Sequence, residues 1–521
     1  MRLLKKSRRS FLAASLASAS AAMLPGWRSL HAATARFASN PFTLGVASGF
    51  PVATSVVLWT RIAPSPLEPG GGVPPGVVPV QWEIATDEKM TKVVRSGTEY
   101  ATPEWAHSIH AEPVGLEPSR DYWYRFTAGG VQSPIGRTRT AAAFGAGPPR
   151  LRLAVVSCQH YEQGYFSAYR HMLADNLDLI VHVGDYIYEL SWGENLVRRH
   201  GAPDTFTLED YRARYALYKS DPDLAAAHAA YPWLVTWDDH EVANDYAGAT
   251  SEDDDDPELF LARRAAAYRA YYEHMPLPRH AVPFGPNMRL YAQRSFGDLA
   301  SIFMLDQRQY RSPEACPRPG RKGSNRVGGD CAELEDPSRT MLGTRQEQWL
   351  NAALSETRSR WNVLAQGTVM AHIDEDPGPG HRYWTDAWNG YPAARSRLLK
   401  SLSDRRVANP VVLSGDIHAF VVSRLNQDAR DLASPVVASE LVTTAVTSQG
   451  MAQKTLDEWR VGNPNLLLAS SEARGYMRLD MTRERLLADL VALSSEKDPH
   501  STTRIMKSFA VESGKPGPVP A

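Results

Sequence analysis

The sequence predicts an α/β (α+β) fold of β-sheets flanked by helices, preceded by a small all-β sandwich. Two observations lead there. The chain changes style near residue 148, where Gly145-Ala146-Gly147-Pro148-Pro149 separates short alternating apolar runs from apolar runs that alternate with amphipathic stretches. At 521 residues it also exceeds what one hydrophobic core organises, so two domains are expected.

Residues 1–35 come first. Arg8-Arg9 lies in Ser-Arg-Arg-Ser-Phe-Leu behind Lys5 and Lys6, and an Ala/Leu/Ser stretch follows to Leu24 before Pro25-Gly26. Ala33-Thr34-Ala35 offers a small-residue cleavage site. This order reads as a twin-arginine export signal, handled by the Tat export machinery, with mature residues beginning near Arg36 and a periplasmic or secreted destination. The apolar stretch falls short of the ~18 strongly apolar residues that a membrane span needs.

Residues 36–145 read as the sandwich. Ser55–Thr60, Val80–Ile84 and Tyr122–Phe126 are short alternating runs separated by turns such as Pro69-Gly70-Gly71-Gly72. Residues 150–500 read as the larger domain. Strands are expected at 151–156, 177–183, 234–237, 299–305, 361–365 and 411–414, and helices at 164–174, 259–273 and 345–354. Residues 501–521 form a tail, expected to be disordered from Ser513. Glu252-Asp253-Asp254-Asp255-Asp256 reads as a solvated loop, because unbroken acids lack the spacing of a calcium loop.

Hydrophobic content of 43% and charged content of 22% are those of a soluble globular protein. The formal charge is -1, and removing the six Lys/Arg of residues 1–35 leaves -7, which disfavours a nucleic-acid surface. Of three cysteines, Cys316 and Cys331 flank a loop rich in Pro, Gly, Arg and Ser that a disulfide could close, which leaves Cys158 alone.

The chemistry lies at four strand ends. Cys158 follows Leu153–Ser157; Asp185 and Tyr188 follow Val181-His182-Val183-Gly184; Asp238, Asp239 and His240 follow Leu234–Trp237; Asp416 and His418 follow Val411–Gly415. Residues at the carboxyl ends of such strands converge on one crevice. Carboxylates gathered there would repel one another without cations between them, so about two metal ions are expected. Asp185 is the natural bridging carboxylate. Tyr188 and Cys158 suit a strongly acidic trivalent ion such as iron(III), while Asp238 or Asp239 with Asn244 and Asp416 suits a harder divalent ion such as calcium. Asp416 and His418, two apart, are expected on one strand face.

These strings, with Gly45-Val46-Ala47-Ser48-Gly49, Val57–Arg61, Ser157-Cys158-Gln159, Trp237–Glu241, Asn244-Asp245-Tyr246 and Tyr272–Pro276, resemble the PhoD-type alkaline phosphatases from about residue 42 to 480. The resemblance implies an immunoglobulin/fibronectin-like domain followed by a metallophosphoesterase-like sandwich with an iron(III) and calcium centre. Iron would sit on Cys158, Asp185, Tyr188 and His418; calcium would sit on Asp185, one of Asp238 and Asp239, Asn244 and Asp416. Arg263 or Arg264 resembles the family's phosphate-binding arginine, and both also fit a solvated helix face. Phe50 departs from the family's usual Asp, in a sandwich position expected not to affect chemistry.

The expected activity is hydrolysis of phosphate monoesters or diesters by a metal-bound hydroxide. His240 is a candidate proton donor or phosphate ligand, and equally a helix-start cap. Trp388 is a candidate pocket wall, and equally a core residue. Small phosphate esters are the expected substrates. A phospholipase D-like or teichoic-acid phosphodiesterase is the alternative, and a non-catalytic surface-binding protein the remote one.

Overall fold

The computed structural model describes residues 36–376 and 380–521. The export signal expected over residues 1–35 lies outside them. Among the described residues no helix is long and apolar enough to cross a membrane.

Two mixed β-sheets form the body. The ten-stranded sheet centres on three parallel strands, Leu151–Val156, Leu179–Val183 and Pro232–Thr236, all fully apolar except for isolated polar positions. The seven-stranded sheet centres on four more, Ala300–Met304, Trp361–Ala365, Pro410–Ser414 and Val436–Val442. Continuous apolar runs are what a strand covered on both faces requires. The main core joins the sheets: Leu153, Val155 and Val183 of the first share a buried cluster with Ile302, Val363 and Leu413 of the second. A second cluster packs Leu364 and Val412 of the seven-stranded sheet against Leu350, Leu398 and Leu456 from the helices Gly343–Glu356, Pro392–Asp404 and Gln453–Gly462.

The expected strands are present with ends shifted by at most two residues, and Trp361–Ala365 and Leu151–Val156 coincide with expectation. The helix expected at 164–174 is shorter, Ser167–Met172. The helix expected at 259–273 runs Pro257–His274, because Asp256 caps it by accepting from Glu258 N and Leu259 N and Pro257 sits in its first turn. One residue of the acidic run is therefore a helix cap.

The N-terminal sandwich shares a sheet with the body. Val46–Val52 pairs in parallel with Pro232–Thr236, and Ser55–Arg61 and Ser108–Ala111 continue outward from it. A separate five-stranded sheet, including Val78–Ala85 and Asp121–Ala128, packs on these strands around Val56, Leu58, Val80, Ile84 and Phe126. Alternation explains the double duty: Val56 and Leu58 face this cluster while Val57 faces the main core. Phe50 also belongs to the main core, under the Arg294 guanidinium at 5.1 Å.

The C-terminal segment corrects the expectation of disorder. Thr503–Glu512 pairs along Arg485–Leu493, and Val519–Pro520 returns to pair with Phe509 and Ala510 as the sheet's edge. Gly514 and Gly517, at φ 83° and 101°, turn the chain back, and their N–H groups donate to Asn409 Oδ1 and Ser439 Oγ. Composition that suggested a tail here marks a turn.

Candidate metal centre

The parallel strands of both sheets end at one edge, and the turns that follow them form the site. Cys158 N donates to Gly184 O, Val446 N to Ser157 O and Gly415 N to Gly367 O, tying successive turns together. The expectation that Asp416 and His418 share a strand face is overturned. The strand stops at Ser414, Ile417 N donates to Gly415 O, and both residues adopt left-handed backbone, φ 69° and 54°. Cys158 and Asp185 do the same at φ 57° and 58°. Non-glycine residues held in this region cost energy and cluster at functional sites.

Glu241 organises two of these turns. Its Oε2 accepts from Asp185 N (3.1 Å) and Asp238 N (2.9 Å), and its Oε1 from Tyr186 N (2.6 Å). Glycine at 184 is required by a φ of 115° and because a Cβ there would lie 2.5 Å from Asp238 Cβ.

Four of the expected ligands meet, together with His240. One atom each from Cys158, Asp185 and His418 lie within 4.8 Å of one another, as do atoms of Asp185, Asp239 and His240. Asp185 is common to both groups. Its Oδ2 accepts from Tyr188 Oη at 3.0 Å, while Oδ1 is buried with no hydrogen-bond partner. His418 Nδ1 lies 2.6 Å from Gln449 O; a carbonyl only accepts, so Nδ1 carries the proton and Nε2, 3.1 Å from Tyr188 Oη, has a free lone pair. Burial, then the neighbouring Asp185 charge, pushes both the Cys158 thiol and the Tyr188 phenol well above their ordinary ranges. Burial, then Asp238, does the same to Asp416. An orphaned buried carboxylate oxygen beside a thiol, a phenol and an imidazole lone pair fits a metal cation, the one partner able to hold all of them deprotonated.

The two neighbouring aspartates separate. Asp238 Oδ1 accepts from the Arg308 guanidinium, whose other nitrogens hold both oxygens of Asp386 at 2.7 and 2.8 Å. Burial, opposed by Arg308, pushes Asp238 up to about 6. Asp239 instead lines the cavity, accepting from His240 N and Asp245 N. Burial opposes its charge, but Arg308 and then His240 hold it below the usual carboxylate range. His240 Nδ1 lies 2.7 Å from Glu189 Oε2, which leaves Nε2 for the cavity. Burial disfavours the His240 cation, yet Glu189, Asp239 and Asp185 together raise it well above its ordinary value. The ring is held by Glu189, and no helix starts at residue 240 for it to cap. Asn244 lines the cavity too, its Nδ2 donating to Glu252 Oε2 at 2.9 Å, and Thr368 Oγ1 donates to Asp416 Oδ2 at 2.5 Å.

Three expected residues lie elsewhere. Arg264 is buried and donates to Gly248 O and Pro286 O; Arg263 donates to Tyr211 Oη and covers the Phe206 ring at 4.2 Å. Neither lines the cavity, because the helix Pro257–His274 turns that face to loops instead. Trp388 is core: fully buried, it donates to Gln366 Oε1 at 2.9 Å. The cavity, about 500 Å³, takes its cations from Arg321 and Arg326 and its indoles from Trp192, Trp384 and Trp459. Arg321 and Arg326 sit on the loop closed by the Cys316–Cys331 disulfide, and Arg321 pairs with Glu252, which corrects the reading of that acid as solvated. Arg308 and these rim residues carried no local signal. Glu189 and Glu241 did, one residue beyond Tyr188 and His240.

A third buried cluster, His160, Glu162 and His200, lies beneath Tyr188. Tyr218 Oη accepts from Tyr161 N and Tyr188 N and gives its one proton to His200 Nε2 at 3.0 Å. The His200 proton is thereby on Nδ1, 3.5 Å from Glu162 Oε2. His200 Nδ1 also lies 3.3 Å from Ser191 Oγ, while Glu162 Oε2 and His160 Nε2 are buried without a hydrogen-bond partner.

Comparison with known proteins agrees with this architecture. Residues 153–490 match the family model of the PhoD-like phosphatase, and residues 28–142 that of the PhoD-like phosphatase N-terminal domain. Alkaline phosphatase D of Bacillus subtilis (strain 168) is 45% identical over 493 residues, 93% of this chain and 83% of the relative. The solved structure of a PhoD superposes with a TM-score of 0.89 at 44% identity, covering 93% of each chain. Purple acid phosphatase PPD1 from yellow lupin shares the fold at a TM-score of 0.54 and 10% identity, over 90% of this chain and 73% of that one. The chain belongs to the PhoD-like phosphatase family and is a phosphatase.

Proposed function

We propose that the protein is an exported hydrolase of phosphate monoesters and diesters whose centre holds iron(III) on Cys158, Asp185, Tyr188 and His418 and calcium on Asp185, Asp239, Asn244 and Asp416. The observation that carries this reading is Asp185 Oδ1, buried and unpartnered between two groups of donors. Asp239 is preferred to Asp238 because Asp239 lines the cavity and groups with Asp185, whereas Asp238 does neither and accepts from Arg308 through Oδ1. When bound, such ions act as Lewis acids on the phosphoryl oxygens and acidify a water.

The chain's own residues do the rest. Glu241 and Thr368 fix the turns and the Asp416 carboxylate, and Glu189 keeps a proton on His240, whose Nε2–H protonates the leaving oxygen. Arg321 and Arg326 are the cations nearest an incoming phosphate. Export rests on the twin-arginine pattern of residues 1–35. The test is turnover of p-nitrophenyl phosphate and bis-p-nitrophenyl phosphate with and without EGTA, beside elemental analysis. Turnover lost to EGTA with iron and calcium both present is expected; finding neither metal, or zinc alone, would require another ligand assignment.

A further inference from the structure

The metal-facing half of the cavity is polar, but a phosphate does not account for the other half. Leu190, Trp192, Ile417, Met451, Trp384 and Trp459 also line it. Ile417 lies between Asp416 and His418, so apolar surface begins beside the reacting centre. Ile417 and Trp459 belong to one buried cluster, and Trp384 and Met451, partly exposed, pack on it. Behind them Ile417, Trp384 and Trp459 also border a narrow recess of about 20 Å³ lined by Val369, Ala371 and Ile373. Indole and thioether surface facing water in a cleft is costly and marks a place where an apolar group docks.

The charges show what that group is not. Arg326 Nε lies 2.6 Å from Glu375 and Arg321 pairs with Glu252, so both rim cations are already matched. Asp245 places a further acid in the same cavity. Among the described residues a second anionic group would meet no spare cation there. A flat aromatic ring suits the indoles, and about 500 Å³ lies within the range of pockets that hold a ligand well beyond a bare phosphate.

We propose that this wall is the subsite for the second ester arm of a phosphodiester, that the arm is a flat aromatic group, and that Trp384 and Trp459 determine the preference. This rests on the phosphoesterase reading above. The test holds the leaving group constant and varies the arm: p-nitrophenyl phosphate, methyl p-nitrophenyl phosphate and phenyl p-nitrophenyl phosphate. Wild type is expected to favour phenyl over methyl by about tenfold in kcat/KM, the size of one aromatic contact. In Trp384→Ala the ratio should fall toward one through KM, with the monoester within about twofold, and Trp384→Phe should restore it. Trp459→Phe, which keeps the buried packing, should lower the ratio less. A wild-type ratio at or below one, or a Trp384→Ala ratio equal to wild type, overturns the subsite while leaving monoester hydrolysis intact. Absence of turnover of all three esters overturns the phosphoesterase reading itself.

Discussion

Glu189 Oε2 lies 2.7 Å from His240 Nδ1, and the same carboxylate's Oε1 accepts from Asn244 N at 2.7 Å. One buried acid thus sets both the charge of the candidate proton donor and the position of a candidate metal ligand. Because Glu189 is the largest of the influences raising His240, Glu189→Gln lowers that pKa. The acid form is then lost at lower pH, so the basic limb of the kcat/KM profile should move toward acid. An unmoved basic limb would separate Glu189 from proton transfer.

His240→Gln tests the donor directly. An alkyl phosphate needs its leaving oxygen protonated far more than p-nitrophenolate does, so the loss should be about 100-fold or more for the alkyl ester and clearly smaller for the nitrophenyl ester. Equal losses on both would assign His240 to phosphate binding.

Arg308 joins Asp238, Asp239 and Asp386 with no exposed surface. Arg308→Met leaves buried carboxylates unmatched, and urea unfolding should show a loss of roughly 3–5 kcal/mol. Bound calcium should fall as well, since Asp239 loses the cation that keeps it ionised. A variant with wild-type stability and metal content would refute the bridging role.

Cys158→Ala should abolish most of the iron and any thiolate charge-transfer band, while the fold, read by circular dichroism, persists. The alternative is that Cys158 is only a small buried core residue. Iron content equal to wild type would establish that.

Lys219 is buried with no hydrogen-bond partner, its Nζ 4.3 Å from the Trp59 ring. Burial pushes its ammonium down to about 7 from 10.5. The unfolded chain therefore binds the proton more tightly, and the stability penalty is full below about pH 7 and relieved as pH rises toward 10.5. Lys219→Met should stabilise the protein at neutral pH by a few kcal/mol, on the order expected for such a shift, and flatten this rise. Calorimetry across pH 7 to 10 measures it, and parallel curves for both proteins would rule the lysine out.

The sequence alone determined the strand ends and the kinds of donor placed there. Apolar β-branched runs report burial on both faces, and Cys158, Asp185, Asp239, Asp416 and His418 each follow one. Only the tertiary structure sets Asp238 and Asp239 apart, because the arginine that holds Asp238 Oδ1 is 70 residues distant and reaches it from the other sheet's strand end. It likewise turned Arg263 and Arg264 away, replaced Trp388 by Trp384, and brought the disulfide loop's arginines to the rim. Periodicity records which face of a local element is buried. Which side chain completes a site depends on how elements far apart in the chain cross, and on backbone such as the left-handed turns at Asp185 and Asp416 that re-aim a residue after its strand has ended.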